Sequence, residues 1–336
     1  MHTVYYIILV SSVLLFASLF TLGAYLLMQK LAVMAELEER SNHSQATITG
    51  VGFGFIVAIL SFLVVVNASP AVIIGGIVLL IISIMDDRAP LSVAKRFGFQ
   101  LIAIILALHV FNGGVFQGLL PVWLDMALTI PLWLWFINAF NFMDGIDEIS
   151  VIESVSITGG IVLLTLVFSA MPQPVEIDAL VIGLGVAAFY PWNKHPAKCF
   201  MGDAGSIPLG YLLGYVLLAL AASGQWAVAL ILPAYYLCDA SLTLAKRAAR
   251  KEPIFTAHSQ HFYQQTVRAG RSHAWVAKHV GVLNIGLILL AGLALYLPEQ
   301  AVIAIAGAYA LSLLTCGYFA RQSVPYKQLE THEVAL

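Results

Sequence analysis

The stretch SPAVIIGGIVLLIISIMDDR, residues 69–88, decides the fold. It carries no charge from Ser69 to Met85 and then ends on Asp86, Asp87 and Arg88. An uninterrupted apolar run of this kind reads as a membrane span. It is a little short of the ideal twenty residues, a deficit that flanking residues, tilt or local thinning can absorb. Acids at the C-terminal end of a helix oppose its dipole, and a carboxylate at a membrane edge is costly. That makes the pair a functional-site candidate by default.

Similar runs recur along the whole chain. The 336 residues are 60% hydrophobic and 10% charged, with a mean hydropathy of +0.91. This composition excludes an ordinary soluble domain. A β-barrel would show short alternating segments instead. The expected class is an all-α, polytopic integral membrane protein, with residues 1–336 forming one transmembrane domain. It has about eleven spans (ten to eleven), near 4–28, 48–67, 70–85, 97–111, 119–140, 150–170, 177–191, 205–222, 226–245, 278–297 and 299–320. The first lacks a basic leader, exceeds a signal-peptide core and is followed by further spans, so it does not read as a cleavable signal. Cys199, Cys238 and Cys316 form neither a disulfide framework nor a CxxC site.

Charge fixes the expected orientation. The connections 29–47, 86–96, 141–149, 192–204 and 246–277 and the tail 321–336 hold all sixteen Lys and Arg, with Lys278 at the border of the fifth. The short links on the other side hold none. The positive-inside rule places the basic side in the cytoplasm, with the N-terminus outside. All the acids of interest fall on that same side.

Four constellations carry the chemistry. Asp86-Asp87 suits a hard cation such as Mg²⁺, or a base acting on a phosphate. In NAFNFMDGID, residues 138–147, Asn138, Asn141, Asp144 and Asp147 recur every three positions, so adjacent members share a helix face. Such a series could hold a base, a ribose or a metal-bound water. In FMGDAGSIP, residues 200–208, glycines flank Asp203 just before a span. A tight loop would present the carboxylate, and the following helix N-terminus would favour phosphate, with Ser206 or Asp203 as a simple N-cap as the plainer reading. His258-Ser-Gln-His261 lies in the basic 246–277 connection. Without a third ligand nearby, the histidines read as phosphate contacts rather than zinc ligands. Gly50, Gly52 and Gly54 read as packing positions and Asp125 as structural. Asp239 is close enough to join the site, and His109 and His273 carry no distinct signal.

Together these strings resemble the polyprenyl-phosphate N-acetylhexosamine-1-phosphate transferase superfamily, over residues from about Arg40 to Gln265. The HxxH form and Arg40-Ser-Asn-His43-Ser are similar to the O-antigen-initiating branch. The resemblance implies that a polyprenyl (undecaprenyl) phosphate attacks the β-phosphorus of a UDP-N-acetylhexosamine, releasing UMP. It implies Mg²⁺ (or Mn²⁺) on Asp203, and a role for Asp86 and Asp87 in deprotonating or orienting the lipid phosphate. Asn141 and Asp144 would hold the nucleotide, His258 and His261 the diphosphate, with Asn138 and Asp147 supporting. A bacterial inner-membrane location with the site facing the cytoplasm follows, as does a homodimer by analogy. No nucleic-acid partner is expected. Direct attack and a covalent aspartyl-phosphate on Asp86 or Asp87 both remain open.

Two departures stand out. Residues 46–52, ATITGVG, lack the family's prolines and the basic residue before the glycines, and Glu148 stands where many members have Gly. The rival class is a transporter or flippase for an anionic lipid or sugar nucleotide. That would spread polar groups along a path through the membrane, whereas here they cluster on one face.

Overall fold

The computed structural model describes residues 2–31, 33, 47–111, 114–169, 173–254, 256 and 258–323. The Arg40–His43 string therefore lies outside the described residues. The helices are α1 (His2–Lys30), α2 (Phe53–Val65), α3 (Pro70–Arg88), α4 (Val93–Ala107), α5 (Val122–Phe142), α6 (Ile149–Phe168), α7 (Gln173–Ala187), α8 (Tyr190–Asn193), α9 (Asp203–Ala222), α10 (Trp226–Ile231), α11 (Ala234–Ala249), α12 (Phe262–Arg268), α13 (His273–Tyr296) and α14 (Ala301–Gln322). Among the described residues the only β pairing is an isolated bridge between Ile48 and Cys199. Helices dominate because lipid offers the backbone no hydrogen bonds, so each span must satisfy its own.

The all-α membrane class holds. Among the described residues, nine helical segments are long and apolar enough to cross a membrane. The other two expected spans differ in form. The 48–67 segment yields only the 13 helical residues of α2, because 50–52 form a glycine turn before it. The 226–245 segment is broken into α10 and α11 at Leu232–Pro233, where proline has no N–H to donate. Helix α4 starts earlier than expected. Lys95 and Arg96 belong to its first turn, as an interfacial extension of the apolar run.

Helix α9 is the central post. Of its most apolar window, 83% is buried, against 28% for α1, 33% for α13 and 28% for α14. A helix apolar all round belongs inside. It packs on α3 and α5. Gly75 of α3 lets Tyr211 of α9 approach so closely that a Cβ there would strike its hydroxyl. Trp133 of α5 stacks on Tyr211 at 4.8 Å and donates from Nε1 to the Tyr211 carbonyl at 3.0 Å. These contacts fix the C-terminal ends of α3 and α5 beside the N-terminus of α9, where Asp86 and Asp87 end α3, Asp203 starts α9 and Asp144 follows α5. At the opposite end, Asp125 accepts from the Val115 and Phe116 amides at 2.9 Å each, as expected of a structural acid.

Candidate active site

The first acid pair is built into the second acidic loop. Asp87 Oδ1 accepts from the Asp203 amide and Oδ2 from the Ala204 amide, both at 3.0 Å. Asp87 therefore caps α9 from another helix. The sequence reading left these amides free for phosphate, or capped by Ser206 or Asp203. Instead Gly202 is the N-cap residue and makes no side-chain cap. The Gly205 and Ser206 amides return to the Gly202 carbonyl. Gly202 has φ +66°, and a Cβ there would lie 2.9 Å from Asp87 Oδ2. Glycine is thus required by both conformation and space. Gly50 and Gly52 pack against the same loop, and the Val51 and Gly52 amides donate to the Phe200 and Met201 carbonyls.

Asp86 turns the other way. It accepts from the Leu91 amide at 2.6 Å, and its Oδ2 lies 3.3 Å from Arg96 Nε. Arg96 Nη1 also lies 3.6 Å from Asp203 Oδ2. This arginine links two acidic motifs, and it was not singled out in the sequence because it looked like ordinary positive-inside charge.

Asn141 donates to Asp203 Oδ1 at 2.9 Å and approaches Ser206 Oγ at 2.8 Å. With Asp144, Asn193, Gly202, Asp203 and Thr49, it lines a polar cavity of about 230 Å³. Burial, with the Asp203 and Asp87 carboxylates beside it, pushes the Asp144 carboxyl up to about 8, against a hydrogen bond to Ser150. Asp203, Asp144 and Asn141 give a set of hard oxygen donors in a site with more negative charge than Arg96 offsets. Such a set fits Mg²⁺ or Mn²⁺. Asn193 lines this cavity unannounced by any motif, and its Oδ1 accepts from the Glu148 amide at 3.0 Å.

Asn138 and the histidines face a second, larger cavity of about 460 Å³. Its walls are largely apolar, including Phe97, Leu134, Trp135 and Ile207. Its polar end carries Arg96, Asn141, His258 and His261. Asn138 is tied to Gln100, donating to its Oε1 at 2.7 Å. Asn141 lines both cavities and so stands between them.

Asp239 joins the site as a support. It is fully buried and accepts from the Phe262 and Tyr263 amides at 3.0 and 3.2 Å, and its Oδ1 lies 3.2 Å from His261 Nδ1. It thereby orients the His258–His261 segment. Burial, then the neighbouring His261 and Arg247, pushes His258 down to about 3. The Gln260 amide points at His258 Nδ1 at 3.3 Å, which leaves the proton on Nε2. His258 is thus a neutral donor beside the groove, not a cation.

Asp147 lies outside both cavities. Its Oδ2 is 2.6 Å from His195 Nδ1 and accepts from the Ala197 amide at 3.1 Å, and its Oδ1 is 3.2 Å from His273 Nδ1. Although burial works the other way, these hydrogen bonds hold its carboxyl down to about 2. The three side chains place ligating atoms within 4.8 Å of one another, a spacing that could hold a transition metal. Oδ2 already has His195 and the Ala197 amide, and His273 Nδ1 accepts from the Asp147 amide at 3.3 Å, so the cluster reads as a hydrogen-bonded clamp. Asp147 is a positioning residue here, and His273, without signal in the sequence, is its partner. Glu148 explains its own departure. It adopts φ +70°, a conformation that favours glycine, and its Oε1 accepts from the His195 amide at 2.6 Å.

A polar, acidic cavity beside a largely apolar one suits phosphate chemistry in a membrane protein. Comparison with known proteins gives the class a family. Residues 69–221 match glycosyl transferase family 4. A Bacillus subtilis protein described as a probable undecaprenyl-phosphate N-acetylglucosaminyl 1-phosphate transferase is 26% identical over 60% of this chain and 59% of its own length. The decaprenyl-phosphate N-acetylglucosaminephosphotransferase of Mycobacterium leprae is 24% identical over 69% and 71%. The phospho-N-acetylmuramoyl-pentapeptide-transferase of Streptococcus gordonii is 32% identical over 47% and 48%. By the family match over 69–221 and by these relatives, the chain is similar to the polyprenyl-phosphate N-acetylhexosamine-1-phosphate transferase superfamily. The family match contains Asp86, Asp87, Asp144 and Asp203 but ends before Asp239, His258 and His261.

Proposed function

We propose that this protein transfers N-acetylhexosamine-1-phosphate from a UDP-sugar to polyprenyl (undecaprenyl) phosphate in a bacterial inner membrane, starting an O-antigen or other surface glycan. The observation that carries this reading is the shared wall at Asn141. A polar acidic cavity suits a metal-bound diphosphate, and beside it lies an apolar groove suited to a prenyl chain. The basic connections favour a cytoplasmic site, where a soluble nucleotide sugar and a lipid phosphate can meet.

In this reading a lipid phosphate oxygen forms a bond to the β-phosphorus, the bond between the two phosphates of the donor breaks, and UMP leaves. The group's chain of roles begins with Asp203 and Asp144, which would hold Mg²⁺. The ion supplies charge neutralisation on the phosphate oxygens. Asn141 orients Asp203, and Asp87 fixes the loop that presents it. Arg96, between Asp86 and Asp203, stands where the lipid phosphate would enter and would bind it. His258 would donate a neutral hydrogen bond from Nε2. Both oxygens of Asp87 accept backbone amides, and Asp86 holds the Leu91 amide on Oδ1 and pairs with Arg96 through Oδ2, which favours direct attack over a covalent aspartyl-phosphate. Asp86, released from Arg96, is the better placed base.

The test uses purified full-length protein, undecaprenyl phosphate, Mg²⁺ and a panel of UDP-sugars, scored for UMP. UMP that depends on the lipid phosphate is the expected result, with none from Asp203→Ala. No UMP from any sugar overturns the proposal.

A further inference from the structure

Helices α13 and α14 pack side by side and contain no Asp or Glu. Their charges are Lys278 and Arg321, with Arg271 just before α13. Between them lies a groove of about 400 Å³ that belongs to neither cavity of the candidate site. Leu283, Leu311 and Leu314 form its apolar length, and Lys278, His279 and Tyr318 its polar end. Leu314 is 69% exposed and Val282 61% exposed, so the groove opens towards lipid rather than into the core.

The polar end is organised. Trp275 and His279 rings lie 3.8 Å apart, and Tyr318 lies 5.8 Å from His279 and 5.9 Å from Trp275. Arg271 sits over the Trp275 ring at 4.9 Å, while donating to Gln322 of α14 at 2.6 Å. His279 Nδ1 donates to the Trp275 carbonyl at 2.8 Å, which fixes the imidazole as part of the aromatic wall of the polar end. Aromatic rings and basic side chains at one end of an exposed apolar groove match the layout of a lipid: headgroup level, then acyl chain.

We propose that this groove is a binding site for an anionic phospholipid. Its phosphate would lie against the Lys278 ammonium, beside the His279 and Tyr318 rings, and an acyl chain would run along Leu283, Leu311 and Leu314. Charge complementarity selects the occupant. With no carboxylate on either helix, the ammonium of a zwitterionic headgroup would meet only Lys278 and Arg271, whereas an anionic headgroup brings no opposing cation. Cationic side chains near a membrane surface each contribute roughly 1 kcal/mol of attraction to anionic lipid, about fivefold in affinity.

The experiment is native mass spectrometry of the full-length protein in detergent with added phosphatidylglycerol or phosphatidylcholine. The wild type is expected to retain phosphatidylglycerol several-fold better. Lys278→Ala should lose about fivefold of that retention and Lys278→Glu more. Leu314→Trp, which fills the groove while leaving every charge, should lose it too. Equal retention of the two lipids, or unchanged retention by Lys278→Glu and Leu314→Trp, overturns the proposal. So does a dimer that both variants abolish, which would identify a second copy as the occupant. Lys278 lies outside the candidate active site, so UMP release by Lys278→Glu in detergent should match the wild type. The lipid readout therefore stands whether or not transfer is observed.

Discussion

Asp87 and Asp203 are joined across 116 residues by a hydrogen bond from the Asp203 amide to the Asp87 carboxylate, at 3.0 Å. The same carboxylate holds the Ala204 amide. One acid of the site thus builds the loop that presents another. Asp87→Asn replaces one acceptor oxygen with an NH₂ group facing a backbone N–H. A hydrogen bond to a charged group contributes roughly 1.5–3 kcal/mol, so the Asp203 loop should loosen. The expected result is weaker Mg²⁺-dependent UDP-sugar binding, by about tenfold or more, alongside lost turnover. Calorimetry of nucleotide-sugar binding checks it. Wild-type binding with lost turnover would instead make Asp87 a base or nucleophile.

His258 gives a pH prediction. Its folded pKa, about 3, lies below the ordinary histidine value of 6.5. The folded state therefore prefers the neutral ring. The stability this preference contributes is complete above pH 6.5 and is lost as pH falls towards 3. Through the working range His258 should act as an uncharged donor. His258→Gln, which keeps an N–H, should retain much more activity than His258→Ala. Its pH–rate profile from 5.5 to 8 should keep the wild-type shape. Loss of a limb near 6.5 in the Gln variant would show that the charged imidazole matters.

Much of this was legible in the sequence because it is local. Hydropathy of runs such as 69–85 set the class, and the acids ending them pointed to one face. The motifs around Asn141 and Asp203 do converge, with Asn141 donating to Asp203. What was not legible is long-range pairing. The clamp of His273 on Asp147 spans 126 residues, and no spacing rule links them. The same holds for Asp87 on α9, where the N-terminal amides looked available because their partner lies on another helix. Asn138 and Asp147 fit the three-residue stripe, yet the helix ends at Phe142, so only Asn138 and Asn141 keep that register. Arg96 was hidden by its residue type, since every basic residue lies on that side.

The Asp147 clamp predicts a stability effect without a metal. His273 is buried and His195 is half exposed. His273→Ala leaves the buried Asp147 amide without its acceptor and should cost roughly 2 kcal/mol of stability, whereas His195→Ala should cost less because solvent can replace it. Thermal unfolding in detergent checks the order. A transition-metal chelator should leave the wild-type unfolding temperature unchanged, and a large drop would turn the clamp into a metal site.

Glu148 separates conformation from contact. Its φ of +70° costs a non-glycine residue about 1–2 kcal/mol, and its side chain recovers energy by accepting from the His195 amide at 2.6 Å. Glu148→Gly removes both the strain and the contact, so the two changes nearly cancel, and the unfolding free energy should move by less than about 1 kcal/mol. Glu148→Ala keeps the strain and loses the contact, so it should destabilise by roughly 1–2 kcal/mol. Glu148→Gln keeps an acceptor of the same reach and should fall between the two. If Gly were as damaging as Ala, the left-handed backbone would not be what the position demands. Glutamate would then be held there by its carboxylate, and the tie between the Asp144 loop and the segment leading to Asp203 would be the part of the site that depends on it most.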